Sequence, residues 1–170
     1  MRRFRYQISR LGESYLADLL ALQENAFEHL ENPELLRRNS EDVFLDCLLN
    51  HYTLGVFYEN KLIAFGILYF GKETSENIGY DLDLTGEEVL KVANVKLIIV
   101  HSDHRGNGLQ RSLIKELEKE AKRKKYKILA CTVSPFNKYS IHNFLQSGFS
   151  LYKQKPKYNG LIRNIYFKKI

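Results

Sequence analysis

A strand, a glycine-rich turn and a helix follow one another in the middle of the chain. Residues 92–100 are mostly apolar, and the next residues, 101–114, read HSDHRGNGLQRSLI. Apolar side chains then recur at helical spacing as far as Ala121. Such a turn exposes the unpaired amide groups of the first helical turn, where the helix dipole adds partial positive charge. Taken alone, it fits either a phosphate-binding site or a plain tight turn before a packed helix.

The residues of the turn favour an anion but exclude two well-known phosphate loops. Gly106 and Gly108 would let a phosphate approach the backbone without a Cβ in the way, and Arg105 and Arg111 could add charge. A P-loop ends in Gly-Lys-Ser/Thr, and a dinucleotide fingerprint needs glycine where this chain has Arg111. The turn matches neither pattern.

Composition predicts one globular domain of 170 residues, with 44% apolar and 27% charged residues. The net charge of +6 permits an anionic partner but does not identify it. The basic start has no apolar signal-peptide core, and the longest apolar run, residues 62–70, is too short to span a bilayer. We therefore expect a soluble, cytoplasmic protein. Cys47 and Cys131 lack metal-site or redox spacing and are expected to be buried free thiols.

The order of elements predicts an α+β or mixed α/β domain, because antiparallel-type strands alternate with helices. Asn60 suits a hairpin turn between the second and third strands, and Ser40 suits the N-cap of the second helix. The expected strands are residues 3–9, 53–58, 62–70, 92–100, 128–133, 149–155 and 161–168. The expected helices are residues 13–30, a segment beginning at Ser40, a segment from Leu109 to Lys125, and residues 137–147.

A second motif follows the glycine turn by about thirty residues. Residues 132–149 read TVSPFNKYSIHNFLQSGF, in which a strand leads directly to Asn137. Helical spacing then brings Asn137, Ser140 and Phe144 close together on one face. A polar stripe therefore starts a helix directly after a strand.

Together the two motifs resemble the GCN5-related N-acetyltransferase (GNAT) superfamily. Its cofactor motif, Gln/Arg-x-x-Gly-x-Gly/Ala after the fourth strand, is matched by Arg105 and Gly108. Family members also carry an asparagine after the fifth strand, here Asn137, and a Gly-Phe pair after the next helix, here Gly148-Phe149. The element order agrees over essentially the whole chain. The resemblance implies a single GNAT-like domain at residues 1–170, whose twisted, mixed, mostly antiparallel sheet has splayed fourth and fifth strands and flanking helices.

The resemblance implies an N-acetyltransferase that moves an acetyl group from acetyl-coenzyme A directly to a primary amine of a small molecule or protein. In the family, the pantetheine arm lies between the splayed strands and the pyrophosphate lies on the glycine turn. The cofactor-binding residues carried over are Ile98, Ile99, Val100, Arg105, Gly106, Asn107, Gly108, Leu109, Gln110, Arg111, Asn137 and Ser140.

Departures from the family pattern concern mainly the catalytic groups. Phe144 stands where many members have a tyrosine that protonates the leaving thiolate, so Ser140 and then Tyr139 become the candidate acids. Gln110 replaces the final small residue of the cofactor motif, and its side chain is expected to turn into solvent or touch the cofactor.

The expected catalytic base also departs from the family pattern. The fourth strand offers Asn94 and Lys96 instead of the family's glutamate, so Asp81 and Asp83 in the preceding loop are the nearest acidic candidates, unless they are simply solvated. His101 and His104 flank the turn without a third ligand at metal-site spacing, so we expect no metal.

Two further functions remain open at this point. Phe144 and the missing glutamate are compatible with a non-catalytic module that binds acyl-coenzyme A. A basic run at residues 122–125 and a basic tail could contact nucleic acid, but no aromatic nucleic-acid signature accompanies them. The tail lysines are Lys153, Lys155, Lys157, Lys168 and Lys169. We expect an amine substrate, neither nucleic acid nor membrane as a partner, and allow for a homodimer because dimers are common in the family. The acidic loop at residues 73–88 favours a cationic amine, although solvated surface charge explains it equally well.

Overall fold

The strands form one seven-stranded sheet in the order β1-β2-β3-β4-β5-β7-β6. The computed structural model describes residues 5–170, so the start of the expected first strand lies outside the described residues. The strands are β1 Gln7–Arg10, β2 Tyr52–Tyr58, β3 Lys61–Tyr69, β4 Val92–Val100, β5 Ile128–Val133, β6 Ser150–Lys157 and β7 Leu161–Lys169. The α-helices are α1 Leu16–Glu28, α2 Glu41–Asn50, α3 Leu109–Arg123 and α4 Lys138–Gln146. Each expected element is present, with ends shifted by a few residues.

Local sequence explains several element boundaries. Glu59 and Asn60 have φ values of 48° and 62°, the left-handed pair that closes a tight β2–β3 hairpin. Ser40 Oγ accepts a hydrogen bond from the Val43 amide and caps α2, as expected. The polar loop after β3 contains two short 3-10 helices, Ile78–Leu82 and Gly86–Lys91, which its glycine punctuation did not indicate.

The helices cover both faces of the sheet. Leu113, Ile114 and Leu117 of α3 pack with Val95 and Leu129 on one face. A second cluster, on the opposite face, consists of Leu19, Leu22, Phe44, Cys47, Phe65, Ile67, Leu97 and Ile99. Alternate residues of β3 and β4 enter different clusters because side chains of a strand point to opposite faces. The result is a single α/β domain of three layers. Cys47 and Cys131 are buried free thiols, as expected.

The sheet opens between β4 and β5. All strand pairs are antiparallel except this one, which is parallel and has only three partner pairs, ending at Asn94 and Ala130. Beyond that point the two strands separate, and we call the resulting opening the gap. The expected splay of the fourth and fifth strands is therefore confirmed, as is the mixed, mostly antiparallel sheet.

A β-bulge lies in β4 where the gap begins. Ile67 of β3 pairs with Leu97 while Leu68 pairs with Val95, so Lys96 has no partner residue on β3. Before the bulge, the Asn94 side chain accepts from the Ile78 amide at 2.8 Å and donates to the Tyr69 carbonyl at 3.3 Å. Asn94 thus has a structural role, fastening the loop at Ile78–Leu82 to the sheet.

Candidate active site

The glycine turn lies at the open edge of β4 and leads into α3. Gly106 and Gly108 have φ values of 79° and 72°, in the left-handed region that favours glycine. No side chain caps α3, and the Ser112 amide is bonded to the Gly108 carbonyl at 3.0 Å. The amides of Leu109, Gln110 and Arg111 precede that bond and have no intrahelical acceptor. The turn therefore presents amide donors at the positive end of the α3 dipole.

Open space adjoins both glycines of the turn. A Cβ added to Gly106 would meet no atom within 4 Å, and one added to Gly108 would meet only the Arg111 guanidinium, at 3.8 Å. The Asn107 side chain bonds back to the His104 carbonyl at 2.9 Å and so closes the turn on itself. The residues present thus fit a pyrophosphate, because the turn is closed, its backbone is accessible and it offers several amide donors.

Gln110 connects α3 to α4. Its Nε2 donates to Ser140 Oγ at 2.9 Å, and its Oε1 accepts from Asn143 Nδ2 at 2.7 Å. Of the two outcomes expected for this side chain, it does not turn into solvent, while contact of Gln110 with the cofactor stays a prediction. Its length lets it reach two polar groups of the neighbouring helix, which a glycine or alanine there could not do.

Asn137 caps α4 at the far side of the gap. Its Oδ1 accepts from the Ser140 amide at 3.1 Å, which satisfies one of the free donors of the helix start. Within residues 5–170 the Nδ2 of Asn137 makes no hydrogen bond, and the residue lines the cavities on both sides of the gap. The side-chain carboxamide of Asn137 thus caps α4 through its oxygen, while its Nδ2 donor faces open space.

Two adjoining cavities lead through the gap. The outer cavity lies beside the glycine turn and is lined by residues 98–100, Arg105 and Tyr139. The inner cavity lies between residues 95–98 of β4 and residues 132–134 of β5. Six residues line both: Leu35, Leu36, Ile98, Gln110, Asn137 and Ser140. The cavities therefore meet at the start of α4.

The backbone of β4 presents alternate residues to the gap. The His101 amide bonds to the Ile63 carbonyl on β3, so the backbone groups of Ile99, two residues earlier, also point toward β3. Those of Ile98 and Val100 point the other way, where no β5 residue pairs with them. Of the three strand residues proposed from sequence to bind the arm, Ile98 and Val100 offer free backbone groups and Ile99 does not.

The far wall of the inner cavity is rich in charge. It contains Arg37, Glu76, Lys96, Tyr158 and Arg163. The Arg37 guanidinium lies 4.1 Å from the Tyr158 ring centre and 3.5 Å from Glu76 Oε2. Burial lowers the pKa of Lys96, with the nearby Cys47 and Glu76 opposing that effect. Sequence reasoning noted Lys96 only as an unusual strand residue.

Arg37, Tyr158 and Arg163 were not identified from sequence, and Glu76 was noted only as one member of the acidic loop. The four residues come from three separated segments and share no spacing pattern. Positive φ at Tyr158 and Asn159, of 49° and 63°, marks the β6–β7 turn that brings Tyr158 to the cavity, but the sequence signal there predicts only a turn.

The candidate acids occupy different positions. Ser140 lines both cavities and lies where they meet, whereas Tyr139 lines the outer cavity and is 55% exposed. Phe144 is buried, lines the inner cavity and packs edge-to-face on Phe149, with ring centres 5.1 Å apart. The geometry thus favours Ser140 over Tyr139.

Asp81 lies apart from both cavities. Its carboxylate is buried and ion-paired with Lys155 at 2.7 Å and Lys157 at 2.6 Å, and neither cavity includes it in its lining. Asp83 is exposed, and hydrogen bonds from Tyr152 and Lys153 lower its pKa. Both carboxylates therefore connect their loop to the β6–β7 hairpin.

Among residues 5–170, no helix is both long and apolar enough to cross a membrane. The same residues contain no cluster of histidine, cysteine and acidic side chains suited to a metal ion.

Comparison with known proteins identifies the family. The sequence matches the model of the acetyltransferase (GNAT) family over residues 16–149. No curated protein matches the sequence significantly.

Solved structures share the fold at low sequence identity. A ribosomal-protein-alanine N-acetyltransferase from Brucella melitensis is similar with a TM-score of 0.75 and 20% identity, over 96% of this chain and 99% of that one. A putative acetyltransferase from Acinetobacter baylyi gives 0.77 and 15%, over 100% and 94%. A putative acetyltransferase from Salmonella typhimurium, solved with its cofactor acetyl-CoA, gives 0.72 and 18%, over 96% and 93%.

The family match includes both the glycine turn and the Asn137 helix, and the expected splay between β4 and β5 is present. The chain therefore belongs to the GNAT family of acetyltransferases, and its acetyl donor is acetyl-coenzyme A.

Proposed function

We propose that the protein transfers the acetyl group of acetyl-coenzyme A directly to a primary amine of a small molecule or protein. The observation that carries this proposal is the gap, since it connects the glycine turn with the charged inner cavity. Donor and acceptor can therefore approach from opposite sides of the sheet edge and meet near Ser140. Proximity of this kind supplies much of the rate enhancement in transfer between two bound substrates.

The donor-binding residues follow from the geometry. Amides of residues 105–111 would hold the pyrophosphate, with Arg105 and Arg111 supplying charge. Backbone groups of Ile98 and Val100 would bind the arm along β4, and Asn137 Nδ2 would bind it from the other side. These assignments use groups that have no partner elsewhere in the described residues.

Bound acetyl-coenzyme A supplies a thioester: the amide C–N bond forms as the C–S bond breaks, the amine nitrogen loses a proton and coenzyme A leaves as a thiol. Among the described residues, Glu76 is the one carboxylate lining the inner cavity. We assign it as the group toward which the amine proton leaves, through water. Asp81 is a poorer candidate, because it lines neither cavity and its carboxylate is paired with two lysines.

Ser140 is the group we assign to protonating the leaving sulfur. Because Gln110 Nε2 donates to Ser140 Oγ, the serine's own hydroxyl hydrogen is free to point into the cavity. Tyr139 remains a second candidate from the outer side. A coenzyme A thiol resembles the cysteine thiol, with a pKa of about 8.5, so departure without an acid is slower but feasible.

A non-catalytic acyl-coenzyme A binding module is the alternative, and two features of the sequence favour it. By the family resemblance, Phe144 stands where many members have the acid, and β4 offers Asn94 and Lys96 but no glutamate. A thiol-release assay across a panel of amines separates the two functions. Amine-dependent release above the hydrolysis background is expected. Tight binding of acetyl-coenzyme A with no amine-dependent release would instead support the binding module.

A further inference from the structure

Positive charge dominates the part of the inner cavity that the outer cavity does not share. Arg37, Lys96 and Arg163 line it, against the single carboxylate of Glu76 among the described residues. Arg37 and Glu76 pair with each other, at 3.5 Å. Two cations, Lys96 and Arg163, are therefore left without an anionic partner within residues 5–170.

Arg163 is a buried cation held in a fixed position. Only 4% of its surface is exposed. Its Nη2 donates to the Glu34 carbonyl at 2.7 Å, and its Nη1 donates to the Ile162 carbonyl at 3.0 Å. Burial lowers the pKa of Arg163, and Tyr158 and Glu34 oppose that effect only in part. The contacts thus orient the side chain, which has no ion pair within residues 5–170.

Lys96 lies at the bulge in β4 and lines the same cavity. Its Nζ lies 5.0 Å from the centre of the Tyr69 ring, a cation–π contact rather than an ion pair. Desolvation again lowers its pKa. Removing water from a cation is costly unless an opposite charge replaces the water. The charges of Glu76 and Asp46 offset only part of that cost, and no carboxylate among the described residues forms an ion pair with Lys96.

Of the acidic loop at residues 73–88, Glu76 lines this cavity, and its carboxylate is paired with Arg37. The buried carboxylate of the loop, Asp81, is paired with Lys155 and Lys157, and Asp83 is paired with Lys153. Glu76, Asp81 and Asp83 are all paired within the chain, which argues against the loop as the determinant of a cationic amine. A second positive group on the acceptor would be repelled by Lys96 and Arg163.

We propose that the acetyl acceptor is a small amine that also carries an oxyanion, a carboxylate or a phosphate, which Lys96 and Arg163 bind. This inference rests on the proposed amine acetylation and names the class of its acceptor. The oxyanion would replace the missing counter-charge, while the amine points toward Ser140 and the gap. Tyr158, on the same wall, has a hydroxyl that pairs with Thr132 Oγ at 3.0 Å and adds a neutral polar group.

The test compares amines that differ only in charge. β-Alanine is compared with its amide, and phosphoethanolamine with ethanolamine, using kcat/KM per free amine; putrescine serves as a cationic acceptor. We expect at least one anionic member to exceed its neutral partner by about tenfold or more, since hydrogen bonds to charged groups have roughly twice the strength of neutral ones. The carboxylate and phosphate pairs identify which oxyanion is preferred. Equal or better use of the neutral and cationic amines would overturn the proposal.

Lys96→Met supplies the matched variant, because methionine keeps much of the side chain's length and apolar volume without its charge. The ratio of kcat/KM for the anionic amine to that for its neutral partner should fall about tenfold or more, because KM for the anionic amine rises. The kinetics of the neutral amine should change little. Lys119→Met removes the same charge from the exposed face of α3 and should leave the preference unchanged. A uniform loss of kcat for every amine in Lys96→Met would place Lys96 in the chemistry and contradict the proposal.

A binding measurement separates failure of this inference from failure of the proposed function. Ligand-observed NMR titration of β-alanine, phosphoethanolamine and their neutral partners into the coenzyme A complex requires no turnover. Charge-dependent binding that weakens in Lys96→Met, without thiol release by any amine, would refute amine acetylation and keep the anion site. Thiol release with no charge dependence in rate or binding would keep the function and refute the anion site.

Discussion

Two glycines determine what the turn after β4 can bind. Both have positive φ, and both leave the space above the backbone open. Any other residue would pay a conformational penalty and would also place a side chain where an anion should approach. A side chain at either position would therefore block access to the amides of the turn. A control glycine with positive φ elsewhere separates this effect on binding from the effect of backbone strain.

Gly108→Glu should weaken acetyl-coenzyme A binding by at least about tenfold, or about 1.4 kcal/mol, because a carboxylate would enter the pyrophosphate position. Gly86→Glu is the control, since Gly86 has a φ of 58° and equally open surroundings outside the site. Calorimetric titration measures both variants. An equal loss of affinity in the two, or none in Gly108→Glu, would show that the turn does not hold the cosubstrate.

Ser140→Ala should lower kcat by about 10²-fold if the hydroxyl protonates the leaving thiol, within the usual range for acid catalysis. Ser140→Thr keeps a hydroxyl and should recover most of the rate. Steady-state kinetics and calorimetry together test this, because acetyl-coenzyme A affinity should change by much less than kcat. An unchanged kcat in Ser140→Ala would transfer the assignment to Tyr139 or to departure without an acid.

At the scale of elements, the site depends on two strands that part and two helices that begin beside the opening. β4 and β5 pair at three positions and then separate, and α3 and α4 start at the free edges. Gln110 joins the two helix starts through Ser140 and Asn143. The geometry of the cavities therefore depends on the first turns of these helices.

Asn137 combines a capping role with a binding role, and two substitutions separate them. Asn137→Ala should lower the free energy of unfolding by about 1 kcal/mol and also weaken acetyl-coenzyme A binding. Asn137→Asp should keep the cap, since Asp and Asn cap equally well, but should still weaken binding because the Nδ2 donor is lost. Urea denaturation and calorimetry measure the two effects. Full affinity in Asn137→Asp would remove Nδ2 from the binding site.

The sequence predicted elements better than it predicted the inner cavity. The glycine turn, the Ser40 cap, the Asn60 hairpin and the Asn137 helix start are local, so their signals lie within a few residues. Lys96 and Arg163 meet at one cavity from strands far apart in the chain, and no local pattern records that meeting. The bonds of Gln110 to a helix thirty residues away were missed for the same reason.

At the scale of the whole molecule, stability should depend on pH through groups remote from the site. His51 accepts a hydrogen bond from the Phe70 amide at Nδ1, and burial is the main cause that lowers its pKa below 6.5. A lowered pKa means that the unfolded chain binds the proton more readily than the folded one. The free energy of unfolding should therefore fall as pH drops below 6.5 and level off once His51 protonates in the folded state.

His51→Gln should flatten this part of the profile while keeping an acceptor for the Phe70 amide. At more acidic pH a second loss should follow in both proteins, because Glu118 and Glu120 have pKa values lowered below 4.5 and lose their ion pairs on protonation. Urea denaturation across pH measures both. A wild-type profile that is flat between pH 6.5 and the acidic transition would contradict the role of His51.

Movement of an acetyl group through the gap, from acetyl-coenzyme A to an amine, can be followed with a label in the acetyl group. Mass spectrometry of the amine products measures the transfer in wild type, Gly108→Glu and Gly86→Glu. The label should appear on the nitrogen of at least one amine with wild type and Gly86→Glu, and be reduced at least about tenfold with Gly108→Glu at limiting cosubstrate. Unlabelled amines throughout, despite tight binding of acetyl-coenzyme A, would show that the protein does not acetylate amines through the gap.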